Sequence, residues 1–437
     1  MKKLLGIVSL FVLGLLIDGA CSEKENPQYE LSNVRIQLVY PENSGCNVVE
    51  GVEVLLKNTS SGTVFSEKTN LEGIADFQVP RGIYEASAAD QRVVDAEVYL
   101  FNGVNSHVNA STEKAEAVIN LELSKGGSVV IKELYVGGCP MDDGSGFFAR
   151  DQYVILYNNS SATIDISDFA LAMVNPYNSQ SMNNDYVNGE LFYASEGWIP
   201  AGNGLWYFET EVKLKPGKQV VIAICGAVDN TKTYSQSINY ANSEYYCCYD
   251  IEDYNLTTYY PTPSELIPSE HYLKVYSYGL GKAWPLSNSS PAFYIVRPQG
   301  TTLKEFVDNP DNENMYGSNQ VRRKVPVEWI VDGIEVFAKG QANNQKRLLP
   351  TIDAGYVEMT AKMGYTLYRN VDKEATEAIK ENEGKLVYNY SLGVGDSTDP
   401  SGIDAEASMR NGARIIYKDT NNSTVDFHQR SRASLRN

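Results

Sequence analysis

Few residues in this chain could do chemistry. Its three histidines, His107, His271 and His428, are far apart, and none has a cysteine or second histidine at a metal-ligand spacing. There is no G-x-S-x-G nucleophile elbow, no GxxxxGK(S/T) phosphate loop, no dinucleotide glycine fingerprint between a strand and a helix, and no HExxH pair. The usual nucleophile, phosphate and zinc-hydrolase signatures are therefore missing. Cys46, Cys139, Cys225, Cys247 and Cys248 follow no zinc pattern, and the adjacent pair could bridge to itself only under strain, so disulfide connectivity stays open. Carboxylates gather at Asp142-Asp143, from Asp308 to Glu313 and from Asp396 to Glu406. Hard oxygens suit calcium, but none of these runs has the ligand spacing of a calcium loop. In a chain with 55 acidic residues, solvated acidic loops are expected anyway. The residues predict no catalytic group, no cofactor and no metal site, hence a protein that is not an enzyme.

The chain does concentrate tyrosine. Between Thr231 and Gly279 lie eleven tyrosines, among them Tyr234, Tyr240, Tyr245, Tyr246, Tyr249, Tyr254, Tyr259 and Tyr260. Little aliphatic residue accompanies them. Tyrosine offers a large amphipathic contact area at low entropy cost, which suits binding loops. The segment is thus a candidate recognition surface, joined from an earlier stretch by Trp198 with Tyr177, Tyr186 and Tyr193. The competing reading lays the same loop against a sandwich with its rings packed inward. The formal net charge of −18 argues against nucleic acid and anionic headgroups as partners.

The elements that would carry these residues are β-strands. The 437 residues are 43% apolar, with 34 Gly and 30 Tyr, which fits an all-β build of two or three domains. The one clear helical candidate is a short, solvent-exposed stretch near 372–385. From Val34 to Leu123, alternating strands separated by turns fall at 34–40, 52–57, 63–68, 74–79, 83–88, 96–101 and 117–123, the density of an immunoglobulin-like sandwich. Here Gly51-Val52-Glu53-Val54-Leu55-Leu56, Thr69-Asn70-Leu71-Glu72-Gly73-Ile74-Ala75-Asp76-Phe77 and Gly82-Ile83-Tyr84 are similar to the carboxypeptidase regulatory-like or transthyretin-like module. The resemblance implies a spacer or carrier over 34–125.

After the joint at 124–127, Tyr153-Val154-Ile155-Leu156-Tyr157-Asn158 and Ile164-Asp165-Ile166-Ser167-Asp168-Phe169-Ala170-Leu171 resemble the lamin-tail type of immunoglobulin-like domain. Ile155 stands where that family usually has Glu. Leu214-Lys215-Pro216-Gly217 before Val220 to Ile224, then Phe293 to Val296 and Val331 to Val336, match its later strands. The expected fold is two immunoglobulin-like sandwiches in tandem. The second, over 128–437, would be enlarged by insertions at 172–212 and 226–284 and by a C-terminal extension at 340–437.

At the other end, Lys2 and Lys3, an apolar run from Leu4 to Ile17, and Gly19-Ala20 before Cys21 have the parts of an export signal. They resemble the bacterial lipoprotein signal, with Asp18 where an apolar residue is usual. The resemblance implies removal of residues 1–20, lipidation of Cys21 and membrane anchoring by its acyl chains. The polar tether 21–33 opens with Ser22 to Asn26, which is similar to the surface-export signal of Bacteroidota lipoproteins. Gly364 to Arg369, Ile403 to Ser408 and Lys418 to Phe427 resemble an uncharacterised Bacteroidota lipoprotein family with the same two-part plan. Together these imply an outer-membrane lipoprotein, exposed at the cell surface, acting as a binding or accessory protein beside a TonB-dependent transporter. The alternative is a structural or adhesive envelope protein. A hydrolase with an unrecognised site ranks last, because no acid, base and nucleophile cluster in the sequence.

Overall fold

The computed structural model describes residues 30–42, 50–94, 97–125 and 127–436. The expected signal at 1–20, lipidated Cys21, most of the tether and Cys46 lie outside the described residues. The first strand already begins at Leu31, inside the stretch read as tether.

The first unit has eight strands: β1 (Leu31–Val39), β2 (Glu53–Asn58), β3 (Val64–Lys68), β4 (Ile74–Pro80), β5 (Gly82–Val94), β6 (Glu97–Ala110), β7 (Lys114–Asn120) and β8 (Glu122–Lys125). They form a three-stranded sheet, β4-β1-β7, and a five-stranded sheet, β3-β2-β5-β6-β8. Period-two alternation decides which side chains face inward: in β1, Val34, Ile36 and Leu38 are buried while their neighbours face water. These three pack with Val54, Leu56, Phe77, Tyr84 and Phe101 in one core between the sheets. Gly73, at φ +74°, makes the turn into β4, held by Asn70, whose Oδ1 accepts from the backbone N–H groups of Glu72 and Ile74. Strands β5 and β6 run well past the expected ends, as a long hairpin.

The larger unit continues with β9 (Val129–Tyr135), β10 (Tyr153–Asn158), β11 (Ala170–Met173), β12 (Trp198–Gly202), β13 (Gly204–Tyr207), β14 (Gln219–Ala223), β15 (Tyr246–Cys248), β16 (Tyr272–Ser277), β17 (Ala292–Val296), β18 (Glu313–Tyr316), β19 (Gln320–Pro326), β20 (Ile330–Ala338), β21 (Val357–Met359), β22 (Thr366–Arg369) and β23 (Phe427–Arg430). Twelve of these strands form one sheet in the order β21-β20-β17-β11-β13-β16-β15-β14-β10-β9-β22-β23. This sheet rolls into a near-barrel, where a second pair of facing sheets was expected. Its two ends meet where the Thr360 N–H donates to the Gln429 side chain. Across the same seam, the Ile131 N–H donates to Asp332 at 2.6 Å. The ends are bridged through a side chain and not by a strand ladder, so β21 and β23 remain the edge strands of the rolled sheet.

Both faces of the rolled sheet are covered, so its central strands are apolar without alternation: every residue of β9 and of β10 is buried. Inside lie Ile131, Val154, Leu156, Leu171, Ile222, Phe293 and Ile295. Outside, β12 and β19, with helix α1 (Leu303–Asp308), cover one face. The 226–284 segment covers a second, and residues 371–417 cover a third. The sequence-predicted strands at 153–158, 220–224, 293–296 and 331–336 are present. The two insertions also supply sheet strands: β13 comes from the first, and β15 and β16 from the second. Likewise the C-terminal segment is part of the barrel, through β21, β22 and β23.

Among the described residues, helix is limited to short pieces. Lys373–Glu377 lies within the predicted helical stretch and is shorter than expected. Leu303–Asp308, Ala405–Arg410 and Ser423–Asp426 were not anticipated. No helix among the described residues is long and apolar enough to cross a membrane.

Candidate binding site

The tyrosines divide by burial. Tyr240, Tyr254, Tyr260 and Trp198 are buried, which corrects their placement on a recognition surface. Each ring is held by a specific partner. Tyr240 donates to Asp151 at 3.0 Å, the Tyr260 hydroxyl accepts from the Trp284 N–H at 2.8 Å, and Tyr254 donates to the Asn203 carbonyl. Trp198 lies on a different face, where its indole N–H donates to Glu196 at 2.6 Å beside Tyr193. The other five are half-buried. Tyr234 stacks on Phe148 at 4.4 Å and Tyr246 on His271 at 4.0 Å. Tyr249 meets Tyr272 edge-on at 5.2 Å, and Tyr245 packs against the same outer cluster. From the earlier insertion, Tyr186 and Tyr193 donate to the carbonyls of Lys346 and Arg347.

Tyr177 and Tyr259 are the two that meet at an opening. They line a cavity of about 630 Å³ where the two insertions converge. Their hydroxyls have no hydrogen-bond partner among the described residues. Burial pushes the Tyr177 phenol up to about 12, against the pull of nearby Arg322, so at neutral pH it remains an O–H donor. Its ring lies across Gly202: a Cβ there would stand 2.9 Å from the ring and 3.0 Å from the hydroxyl.

The cavity walls are braced from behind. Gln152 is fully buried; its side-chain N–H donates to the Leu286 carbonyl at 2.8 Å, and its oxygen accepts from the Leu286 N–H at 3.1 Å. Asn288 donates to the carbonyls of Val136 at 2.7 Å and Ala149 at 2.8 Å. Asn203 sits at φ +67°; it donates to Ala283 at 3.0 Å and accepts from the Gly281 N–H at 3.2 Å. Gly279 and Gly281 wrap so closely around it that a Cβ on either would overlap the Asn203 side chain. This clasp holds Leu280 outward, 75% exposed, on the rim.

The remaining candidates are engaged in the fold. His107 is exposed on β6 rather than in a loop. The His271 Nδ1 lies 3.2 Å from the Tyr245 carbonyl oxygen. His428, read as part of a polar tail, is buried on β23 with Nδ1 2.7 Å from Asn370, and burial lowers it to about 3. The acidic runs likewise serve as anchors. Asp142 accepts from Ser235, Asp399 from the Val371 N–H and Asp404 from the Ala407 N–H. Glu406 pairs with buried Lys132 at 2.8 Å. Among the described residues, no group of three or more His, Cys, Asp or Glu is placed to hold a metal. Cys139, Cys225, Cys247 and Cys248 are buried and unbridged, and burial pushes the Cys139 and Cys225 thiols up to about 12.

Sequence reasoning placed Tyr177 and Tyr259 in a binding surface but missed Asn203, Asn288 and Gln320. The Asn203-Gly204 and Gly279-x-Gly281 pairs hint at tight backbone, and nothing local indicates that they approach each other.

The family model described as "Protein of unknown function (DUF4876)" matches residues 215–391, a span that includes the tyrosine-rich insertion and much of the cavity lining. Among curated proteins, none matches this chain. Among solved structures, the chain is similar to a DUF4876 family protein from Bacteroides thetaiotaomicron, at 18% identity over 91% of this chain and 94% of that one, with a TM-score of 0.51. This is a likeness of fold. A DUF3823 family protein from Parabacteroides merdae aligns with 33% of this chain and 67% of its own, at 14% identity and a TM-score of 0.15.

Proposed function

We propose that this chain is a non-enzymatic binding lipoprotein of the cell envelope, which takes a ligand in the cavity between its two insertions and serves an outer-membrane transporter as an accessory. One observation carries the reading. Both insertions are anchored as sheet strands, and at their meeting point they leave an open cavity of about 630 Å³, within the size range of ligand sites. A packed scaffold with a concavity made by added segments is the usual arrangement of a binding protein. In this reading the N-terminal unit is a carboxypeptidase regulatory-like spacer. The larger unit is a lamin-tail-type domain enlarged into a near-barrel, and acylated Cys21 tethers both to the outer membrane, facing outward.

The test is affinity purification of the tagged chain from detergent-solubilised membranes, with intact-mass analysis of the product. Co-purification of a β-barrel transporter with a chain that starts at an acylated Cys21 is the expected result. Recovery of the chain alone would favour display or adhesion. An uncleaved chain in the soluble cell interior would end the lipoprotein reading.

A further inference from the structure

The cavity lining is uncharged. In a chain with 21% charged residues, the cavity is walled by amides, hydroxyls, aromatic rings and aliphatic carbon, with no Asp, Glu, Lys, Arg or His among its lining residues. We infer that the ligand is a neutral polyhydroxylated molecule, a saccharide, held between Tyr177, Tyr259 and a ring of side-chain amides. The inference rests on the binding reading above and specifies the chemistry of its ligand.

Charge removes several alternatives. An anion would enter a protein of net charge −18 without a lining cation to receive it. Arg322, the cation nearest Tyr177 in its effect, is committed to a two-pronged pair with Asp185, at 2.7 Å on each arm, and to Asn314 at 2.6 Å. A cation would find no carboxylate on the wall.

The remaining polar groups suit hydroxyls. An amide presents both donor and acceptor, as a sugar hydroxyl does. The unused valences on the wall are of both kinds. The Tyr177 and Tyr259 hydroxyls and the Asn288 Oδ1 carry no bond within the described chain. Gln320 uses its oxygen to accept from Asn175 at 3.3 Å, which leaves its NH₂ free. Asn178 accepts from Ser287 at 2.5 Å, which leaves its NH₂ free as well. Beside these, the Tyr177 and Tyr259 rings offer flat apolar area for the C–H face of a pyranose. Tyr259 is itself backed by the Arg150 guanidinium, 5.7 Å from its ring centre. An extended peptide is the less suited occupant. Peptide capture by strand addition needs a free sheet edge, and no lining residue lies on β12 or β18, the two edge strands of the three-stranded sheet β12-β19-β18.

The experiment uses the full chain in detergent against an array of neutral gluco-, manno-, galacto- and xylo-oligosaccharides. Polygalacturonate and an unstructured Ser/Gly/Asn peptide are included as an acidic and a non-glycan probe, and hits are titrated by calorimetry. At least one neutral oligosaccharide should bind, and Tyr177→Ala should weaken it by roughly tenfold or more, the effect of truncating a central aromatic anchor. Gln320 is exposed on the rim, so Gln320→Ala should weaken binding without moving the melting temperature. Gly202→Ala should weaken it by forcing the Tyr177 ring aside. Equal binding by wild type and all three variants would overturn the site. Cavity-dependent capture of only the peptide would overturn the saccharide class, capture of only polygalacturonate would overturn the neutral charge of the ligand, and either would leave the binding reading standing. If no probe binds while a transporter still co-purifies, the inference fails and the accessory role survives.

Discussion

At Arg369 one guanidinium meets three buried carboxylates: Asp332, Asp419 at 3.3 Å and Asp426 at 3.7 Å. One positive charge cannot compensate three desolvated negative ones, and burial pushes all three carboxyls upward, Asp426 to about 7. Such a group keeps its proton in the folded chain at a pH where the unfolded chain has released it. Its stabilising contribution is complete below the unfolded value of about 4 and is lost as pH rises through about 7. Buried His428 acts in the opposite sense: lowered to about 3, it costs stability as pH falls below roughly 6.5. The melting temperature should therefore fall between pH 6 and 7.5, and Asp426→Asn should flatten that fall. Thermal melts across the range decide it, and a variant profile parallel to wild type would sink the assignment. Glu335 supplies a second residue-scale prediction. It is fully buried; its Oε1 accepts from Arg347 at 2.6 and 3.0 Å, and its Oε2 accepts the Arg347 and Leu348 N–H groups. Arg347→Met strands that carboxylate, and denaturant titration should show a loss of about 3–5 kcal/mol.

Strand and loop assignments differ in how far local sequence can carry them. In the first unit, Val34, Ile36 and Leu38 alternate with polar neighbours, so one face of β1 is fixed without knowledge of the rest. The tyrosine-rich segment has no such period. Its strands β15 and β16 exist because they pair in parallel beside β14, Ala223 opposite Cys247 and Cys247 opposite Tyr272. That is a tertiary cause which overrides local propensity. For the same reason the aromatic surplus was legible and its direction was not: the Tyr240 ring covers an outer face of the sheet, whereas Tyr254 and Tyr260 turn into the core inside it, against Trp206. The cavity depends on Asn203 meeting Gly279 and Gly281 across more than seventy residues, and no window of sequence contains that approach. The element-scale prediction concerns the half-buried rings Tyr245, Tyr246 and Tyr249. Substituting all three by Ser should lower the melting temperature clearly while leaving saccharide binding intact, because none lines the cavity. Loss of binding at unchanged stability would return these rings to the recognition surface.

At the scale of the molecule, the near-barrel determines which parts can be separated. The resemblance to the lamin-tail type of domain set residues 340–437 apart as a C-terminal extension of the sandwich. In the folded protein that stretch provides β21, β22 and β23. It also brings Arg369, whose Nε donates to the Ile131 carbonyl at 2.8 Å and whose head meets Asp332 on β20, so both sides of the seam converge on one residue of the supposed extension. Without it, β9 would lose its neighbour β22 and β20 its neighbour β21. Two apolar strands would be left with unpaired backbone, the arrangement that invites aggregation. The first unit has its own core between two sheets and touches the larger one through contacts such as Lys57 with Tyr356. A chain ending at Lys339 should therefore retain a folded, protease-resistant N-terminal unit while the rest is digested or aggregates. Limited proteolysis with mass mapping is the measurement. A resistant fragment spanning 128–339 would show that the sheet does not need its last three strands, and the near-barrel would then be a consequence of the fold rather than a condition for it.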